Sequence, residues 1–156
     1  MYRLNEVVHH WIYQDYYGRI KRLEKERIFC CHQMEHLLDV ARIAYIRNLE
    51  NNLGYSKELL YTTAILHDIG KVIYREGGDK RNHSVSGYDY LKEEADIKEK
   101  EILDCVKYHH ALLLKSANLE DDNLAYITYI ADNIAAFADR REKENVDDKG
   151  FEIAVP

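Results

Sequence analysis

Pro156, the last of 156 residues, is the only proline in the chain. Proline removes a backbone donor and breaks helix interiors, and without it the long apolar periodicities of this sequence run on uninterrupted. Hydrophobic residues make up 46% of the chain, enough for one compact domain with a sizeable core. The expected fold class is all-α.

Taken in order, Met1 to Tyr17 reads as a short amphipathic helix with Leu4, Val7, Val8, Trp11 and Ile12 on one side, interrupted by Gly18. His9 and His10 read as surface or packing residues. From about Ile20 to Leu49 runs the longest helical signal of the first half, with Ile28, Phe29, His32, His36, Val40, Ile43, Ala44 and Arg47 on its inner face. Asn51, Asn52 and Gly54 form a turn, and Ser56 caps a helix from Lys57 to His67 that has Glu58 in its first turn. A basic, glycine-bearing loop follows to Asn82. His83 opens a helix with Val85, Tyr88 and Leu91 as its stripe, and another from about Ile97 places Ile102, Cys105, Val106 and His109 on one face. After a polar connector from Asn118 to Asn123, a helix from Leu124 to about Arg141 turns Ile127, Ile130, Ala131, Ile134 and Ala138 inward. Residues 1–141 are thus expected to form the domain, and 142–156 an irregular tail at the edge of a larger protein.

No run approaches the length of a membrane span and no signal peptide opens the chain, so a soluble, cytoplasmic protein without a membrane partner is expected. Cys30, Cys31 and Cys105 are an odd, unpatterned set that reads as free thiols. A net charge of −6 argues against broad adhesion to nucleic acid. It leaves open a local basic groove along the loop from Lys71 to Arg81.

The chemistry concentrates at Leu66-His67-Asp68-Ile69-Gly70-Lys71. Adjacent helical residues point about 100° apart, so one ion can meet both His67 and Asp68 only if the helix ends there. Gly70 is expected to end it as a left-handed C-cap. An imidazole beside a carboxylate suits Fe, Mn, Co, Ni or Zn rather than Ca. Further ligand types stand at helix ends and on inner faces: His36, His83, His109, His110 and Asp132. Asp132 lies within an apolar helix, where a buried carboxylate needs a partner. Seven ligands exceed the needs of one open catalytic ion. They suit two ions with Asp68 as the bridge.

The order His36, His67-Asp68, His83, His109-His110, Asp132 resembles the HD superfamily of metal-dependent phosphohydrolases across nearly the whole chain. Residues 20–60, through Cys31-His32-Gln33-Met34-Glu35-His36 and onward to Ala44, are similar to free-standing bacterial HD-domain proteins. Residues 61–156 resemble the HD nuclease domain of the large subunit of type III CRISPR effector complexes. That narrower likeness is carried by Leu66 to Lys71, His83-Ser84, Tyr108-His109-His110, Tyr126 to Ile134 and Asp139-Arg140-Arg141. The resemblance implies a helical bundle with the metal site in its core. It implies one or two divalent ions, Mn, Fe, Co or Ni ahead of Zn, with His36, His67, Asp68 and Asp132 on one and Asp68, His83, His109 and His110 on the other. Asp68, His67 and Lys71 would be catalytic, and His32, Lys71 and Arg81 would contact substrate. Two substrates stay open: single-stranded DNA, with other CRISPR effector subunits as partners if the chain is a fragment, or a nucleotide or other small phosphate ester.

Overall fold

Two helices, α3 (Met34–Glu50) and α9 (Leu124–Lys149), pack along each other and form the spine of the molecule. The structure is a computed structural model that describes residues 2–25, 34–76, 82–119 and 122–149. Around the spine lie α1 (Tyr2–His9), α2 (Trp11–Leu23), α4 (Lys57–Leu66), α5 (Lys71–Arg75), α6 (His83–Glu93), α7 (Lys100–Tyr108) and α8 (Ala111–Ser116). The described residues contain no strand, so the all-α expectation holds. None of the described helices is long and apolar enough to cross a membrane.

Among the described residues the core has two apolar clusters, and α4 belongs to both. Its Ile65 and Leu66 join Ile20, Leu37, Leu91 and Val106 in one. Leu60 and Ala64 join Val40, Ala44, Ile127 and Ala131 in the other. A helix flanked by core on both sides is apolar all round. Every residue from Thr62 to Gly70 is accordingly buried, so the His67-Asp68 turn closes α4 inside the protein. The connection into α4 follows expectation: Asn52 and Gly54 adopt positive φ, and the Ser56 hydroxyl accepts from the Leu59 N–H at 3.1 Å.

Several boundaries differ from the sequence reading. The first helical segment breaks at His10 rather than at Gly18, because the His10 ring Nδ1 accepts from the Ile12 N–H and starts a second helix. Gly18 lies inside α2, and Trp11 is exposed while Tyr13, Tyr16 and Ile20 turn inward. Ile20 therefore belongs to α2, which ends at Leu23, and not to one helix reaching Leu49. Ile28, Phe29, Cys30, Cys31 and His32 lie outside the described residues, as do Lys80 and Arg81; Cys105 is a buried free thiol.

Gly70 is not a left-handed cap. Its φ is not positive, and the chain turns from α4 directly into α5, where a loop was expected. Glycine is required for another reason: a Cβ there would lie 1.8 Å from the His83 carbonyl oxygen and 2.7 Å from the Gly87 nitrogen. The two backbones touch, which brings α6 against the His67-Asp68 turn. For the same reason the buried face of α6 is Ser84, Ser86, Gly87 and Leu91, with Val85 and Tyr88 only half-buried. The last helix continues past Arg141 to Lys149, and its inner face is Ala125, Ile127, Thr128, Ala131 and Ala135. Ile134 and Ala138, expected inside, are exposed.

Candidate metal centre

The turn after α4 solves the problem of using two adjacent side chains on one ion. The regular helix ends at Leu66, and His67 Nε2 comes to lie 3.1 Å from Asp68 Oδ2. The Lys71 N–H then donates to the Asp68 carbonyl at 3.0 Å and α5 begins. Lys71 returns toward the turn, with Nζ 3.5 Å from Asp68 Oδ1.

Backbone carbonyls fix two of the imidazoles. His67 Nδ1–H donates to the Ala64 carbonyl at 2.5 Å, and His109 Nδ1–H to the Val106 carbonyl at 2.7 Å. A carbonyl can only accept, so in each neutral ring the proton is on Nδ1 and the lone pair is on Nε2. Both Nε2 atoms are buried without a hydrogen bond. That arrangement, with one nitrogen tied to the backbone and the other aimed inward, is how metal-ligating histidines are oriented.

Asp68 divides the surrounding donors into two groups. His67 faces its Oδ2 and groups with His36 and Asp132: His36 Nε2 is 3.0 Å and His67 Nε2 3.6 Å from Asp132 Oδ1. On its Oδ1 side stand His83 Nε2 at 3.4 Å and His109 Nε2 at 3.5 Å, with His110 Nε2 2.7 Å from His83 Nε2. Within each group, one atom from every residue lies within 4.8 Å of all the others. Two ligands about 2.0–2.2 Å from a shared ion, at right-angled to tetrahedral openings, stand roughly 3.0–3.5 Å apart. The separations found here are close to the edges of such a coordination shell, so the residues fit a metal on chemistry and spacing alike.

Electrostatics separates the two groups. Burial disfavours charge on His67, yet the Asp68 and Asp132 carboxylates prevail and push it up to about 10. Burial likewise opposes ionisation of Asp68, but His67 and then Lys71 hold it well below the usual carboxylate range. Asp132 is also lowered against its burial, by the hydrogen bond with His36 and by the neighbouring His67. Across the site burial lowers His83, and burial with the neighbouring His109 and His83 pushes His110 down to about 3. His83 and His110 are therefore neutral at pH 7, the form that ligates a metal.

Five separate segments thus bring His36, His67, Asp68, His83, His109, His110 and Asp132 together, and Lys71 reaches the same carboxylate. His32 and Arg81 fall outside the described residues. Tyr16, which the sequence reading passed over, donates its hydroxyl to the Asp68 carbonyl at 3.0 Å. Periodicity marks an inward tyrosine on α2 as core. Nothing in it marks a backbone carbonyl 52 residues away as its partner.

The family described as HD domain matches residues 34–136. This chain belongs to the HD domain family. Members of this superfamily are metal-dependent phosphohydrolases and nucleases, and this HD domain is an enzyme of that class. It is 40% identical over 138 residues to an uncharacterized protein of Clostridium beijerinckii, covering 86% of this chain and 84% of that protein. It is also 47% identical over 90 residues to the CRISPR system single-strand-specific deoxyribonuclease Cas10/Csm1 (subtype III-A) of Enterococcus italicus, and equally so to that of Streptococcus thermophilus. Those matches cover 56% and 58% of this chain but 12% of each deoxyribonuclease. The chain therefore spans about an eighth of the CRISPR relatives it resembles. No solved structure matches it.

Proposed function

We propose that this HD domain hydrolyses phosphodiesters of single-stranded DNA at a centre of two divalent transition-metal ions. The observation that carries the reading is the position of Asp68, one oxygen toward each donor group. In this reading His36, His67, Asp68 and Asp132 hold one ion, and Asp68, His83, His109 and His110 hold the other. Mn, Fe, Co and Ni are preferred over Zn. When bound, paired ions lower the pKa of water and neutralise charge on the phosphoryl oxygens.

The chain's own residues supply the rest. Asp68 fixes the separation of the two donor groups, because its carboxylate is rigidly buried and its carbonyl is held from two sides. His67 loses its proton to make its Nε2 available. Lys71 stands at the partly exposed edge of the site, where it would meet a phosphoryl oxygen. His32 and Arg81 are proposed to contact further phosphates, and other effector subunits would be partners if the domain acts within a larger protein.

The choice of single-stranded DNA is supported by the 47% identity to proteins named as single-strand-specific deoxyribonucleases. A second reading, a phosphohydrolase of nucleotides or other small esters, is favoured by the Clostridium relative, which is matched over 84% of its length. The test is elemental analysis followed by assays of single-stranded DNA against a nucleotide panel with Mn, Fe, Co and Ni each supplied. Metal-dependent cutting of the DNA is expected. Turnover confined to nucleotides would overturn the first reading, and absence of bound metal would overturn both.

A further inference from the structure

We infer that two consecutive tyrosines of α2, Tyr16 and Tyr17, are positioning residues for the metal centre. The inference rests on the reading of His36, His67, Asp68 and Asp132 as one metal group.

The Tyr16 hydroxyl is buried and donates to the Asp68 carbonyl at 3.0 Å. The next residue serves the other ligand-bearing element: the Met34 N–H donates to the Tyr17 hydroxyl oxygen at 3.2 Å. Met34 is the first described residue of α3, and His36 follows two positions later. This bond ties the part of α3 that carries His36 to α2. One turn of α2 therefore holds the backbone of Asp68 directly and the backbone of α3 two residues before His36. Asp68 and His36 are two of the four residues of the group His36, His67, Asp68 and Asp132.

The rest of α2 is built to keep those two hydroxyls in place. The Tyr13 ring stacks on Tyr17 at 6.3 Å with 14° between planes and lies 5.9 Å from Tyr16. Arg19 reaches across to Glu76, just past α5, with Nε 3.0 Å from Oε1. The two ends of the His67–Arg75 segment are thus held from α2, at Asp68 by Tyr16 and beyond α5 by Arg19. All of these α2 residues precede the stretch matched to the HD domain family, which begins at residue 34. In this chain α2, which lies outside the matched stretch, supplies hydrogen bonds of the kind that orient metal ligands.

Tyr16→Phe and Tyr17→Phe remove the hydroxyls and keep the rings, and Ile20→Val serves as a packing lesion on the same helix. Each variant is made in the full chain, stripped of metal and titrated with Mn²⁺ by calorimetry, with thermal unfolding of the metal-free protein measured alongside. Tyr16→Phe is expected to weaken Mn²⁺ binding about tenfold, the lower end of the effect of losing an outer partner of a ligand. Tyr17→Phe should do so less, because α3 is also held by its packing on α9. Ile20→Val should lower the unfolding temperature and leave the Mn²⁺ dissociation constant unchanged. Equal Mn²⁺ affinity in Tyr16→Phe and the unmodified protein would overturn the inference, as would an equal loss in Ile20→Val. If the unmodified protein binds no Mn²⁺, the metal reading itself fails and this inference falls with it.

Discussion

His36 and Asp132 are 96 residues apart in the chain, yet His36 Nε2 lies 3.0 Å from Asp132 Oδ1. This contact joins the two spine helices at the centre, with His67 Nε2 3.6 Å from the same oxygen. Replacing Asp132 by Asn keeps the shape and removes the charge. Elemental analysis of Asp132→Asn should show loss of the ion held by the His36 group and retention of the other. Hydrolysis should fall by on the order of 100-fold or more, since a ligand should matter at least as much as an outer partner. Unchanged metal content would remove Asp132 from the centre.

Asp68→Asn is the more severe substitution. Both donor groups use this carboxylate, so both ions should weaken and hydrolysis should be abolished. The amide preserves the turn and its backbone bonds, so far-UV circular dichroism should stay near that of the unmodified protein. Full turnover with an intact helical spectrum would take Asp68 out of the reaction.

Metal binding should release protons. His67 in the ion-free protein is pushed up to about 10 by Asp68 and Asp132 against the opposing effect of burial, so it carries a proton at pH 7. An ion needs the neutral ring and must displace that proton. Calorimetry in buffers of different ionisation enthalpy should therefore detect proton release at pH 7, and affinity should rise with pH up to about 10. The sign for stability is opposite. A histidine raised above its ordinary 6.5 stabilises the ion-free fold fully below that pH, and the contribution is lost as pH rises through about 10. Proton uptake on metal binding, or none, would contradict the assignment of His67.

The candidate centre was legible because its chemistry is written in residue types that rarely fill a core. His36 on an apolar stripe and Asp132 within an apolar helix each need a reason to be there. What stayed illegible depends on tertiary contact. A glycine after His-Asp fits either a left-handed cap or a close approach, and the φ of Gly70 with the His83 carbonyl 1.8 Å from the missing Cβ tells the two apart. His10 starts a helix through a ring nitrogen, which an expectation based on Ser, Thr, Asp or Asn does not find. The inward face of α9 was read as including Ile134, but small Ala131 and Ala135 let the spine helices approach, and Ile134 is left outside. Tyr16 escaped notice because its partner is a backbone carbonyl, which every residue has.

Substrate class should show in the salt dependence. A single-strand nuclease holds phosphates beyond the one it cuts, and each cationic contact adds counterion release. Replacing Lys80 and Arg81 together by alanine should weaken single-stranded DNA binding and flatten its salt slope. Hydrolysis of a small generic phosphodiester should be nearly untouched. Equal damage to both substrates would tie these residues to the metal centre or the fold, and no damage to either would remove the basic segment from DNA binding.

The central claim is that Asp68 bridges two metal ions, and anomalous diffraction from crystals of the Mn²⁺-loaded protein tests it most directly. Two anomalous peaks are predicted, one beside each Asp68 oxygen at about 2.0–2.2 Å, the range for carboxylate ligands. The first should be surrounded by His36, His67 and Asp132, and the second by His83, His109 and His110. Absence of anomalous density within ligating distance of Asp68 in fully loaded crystals would contradict the account.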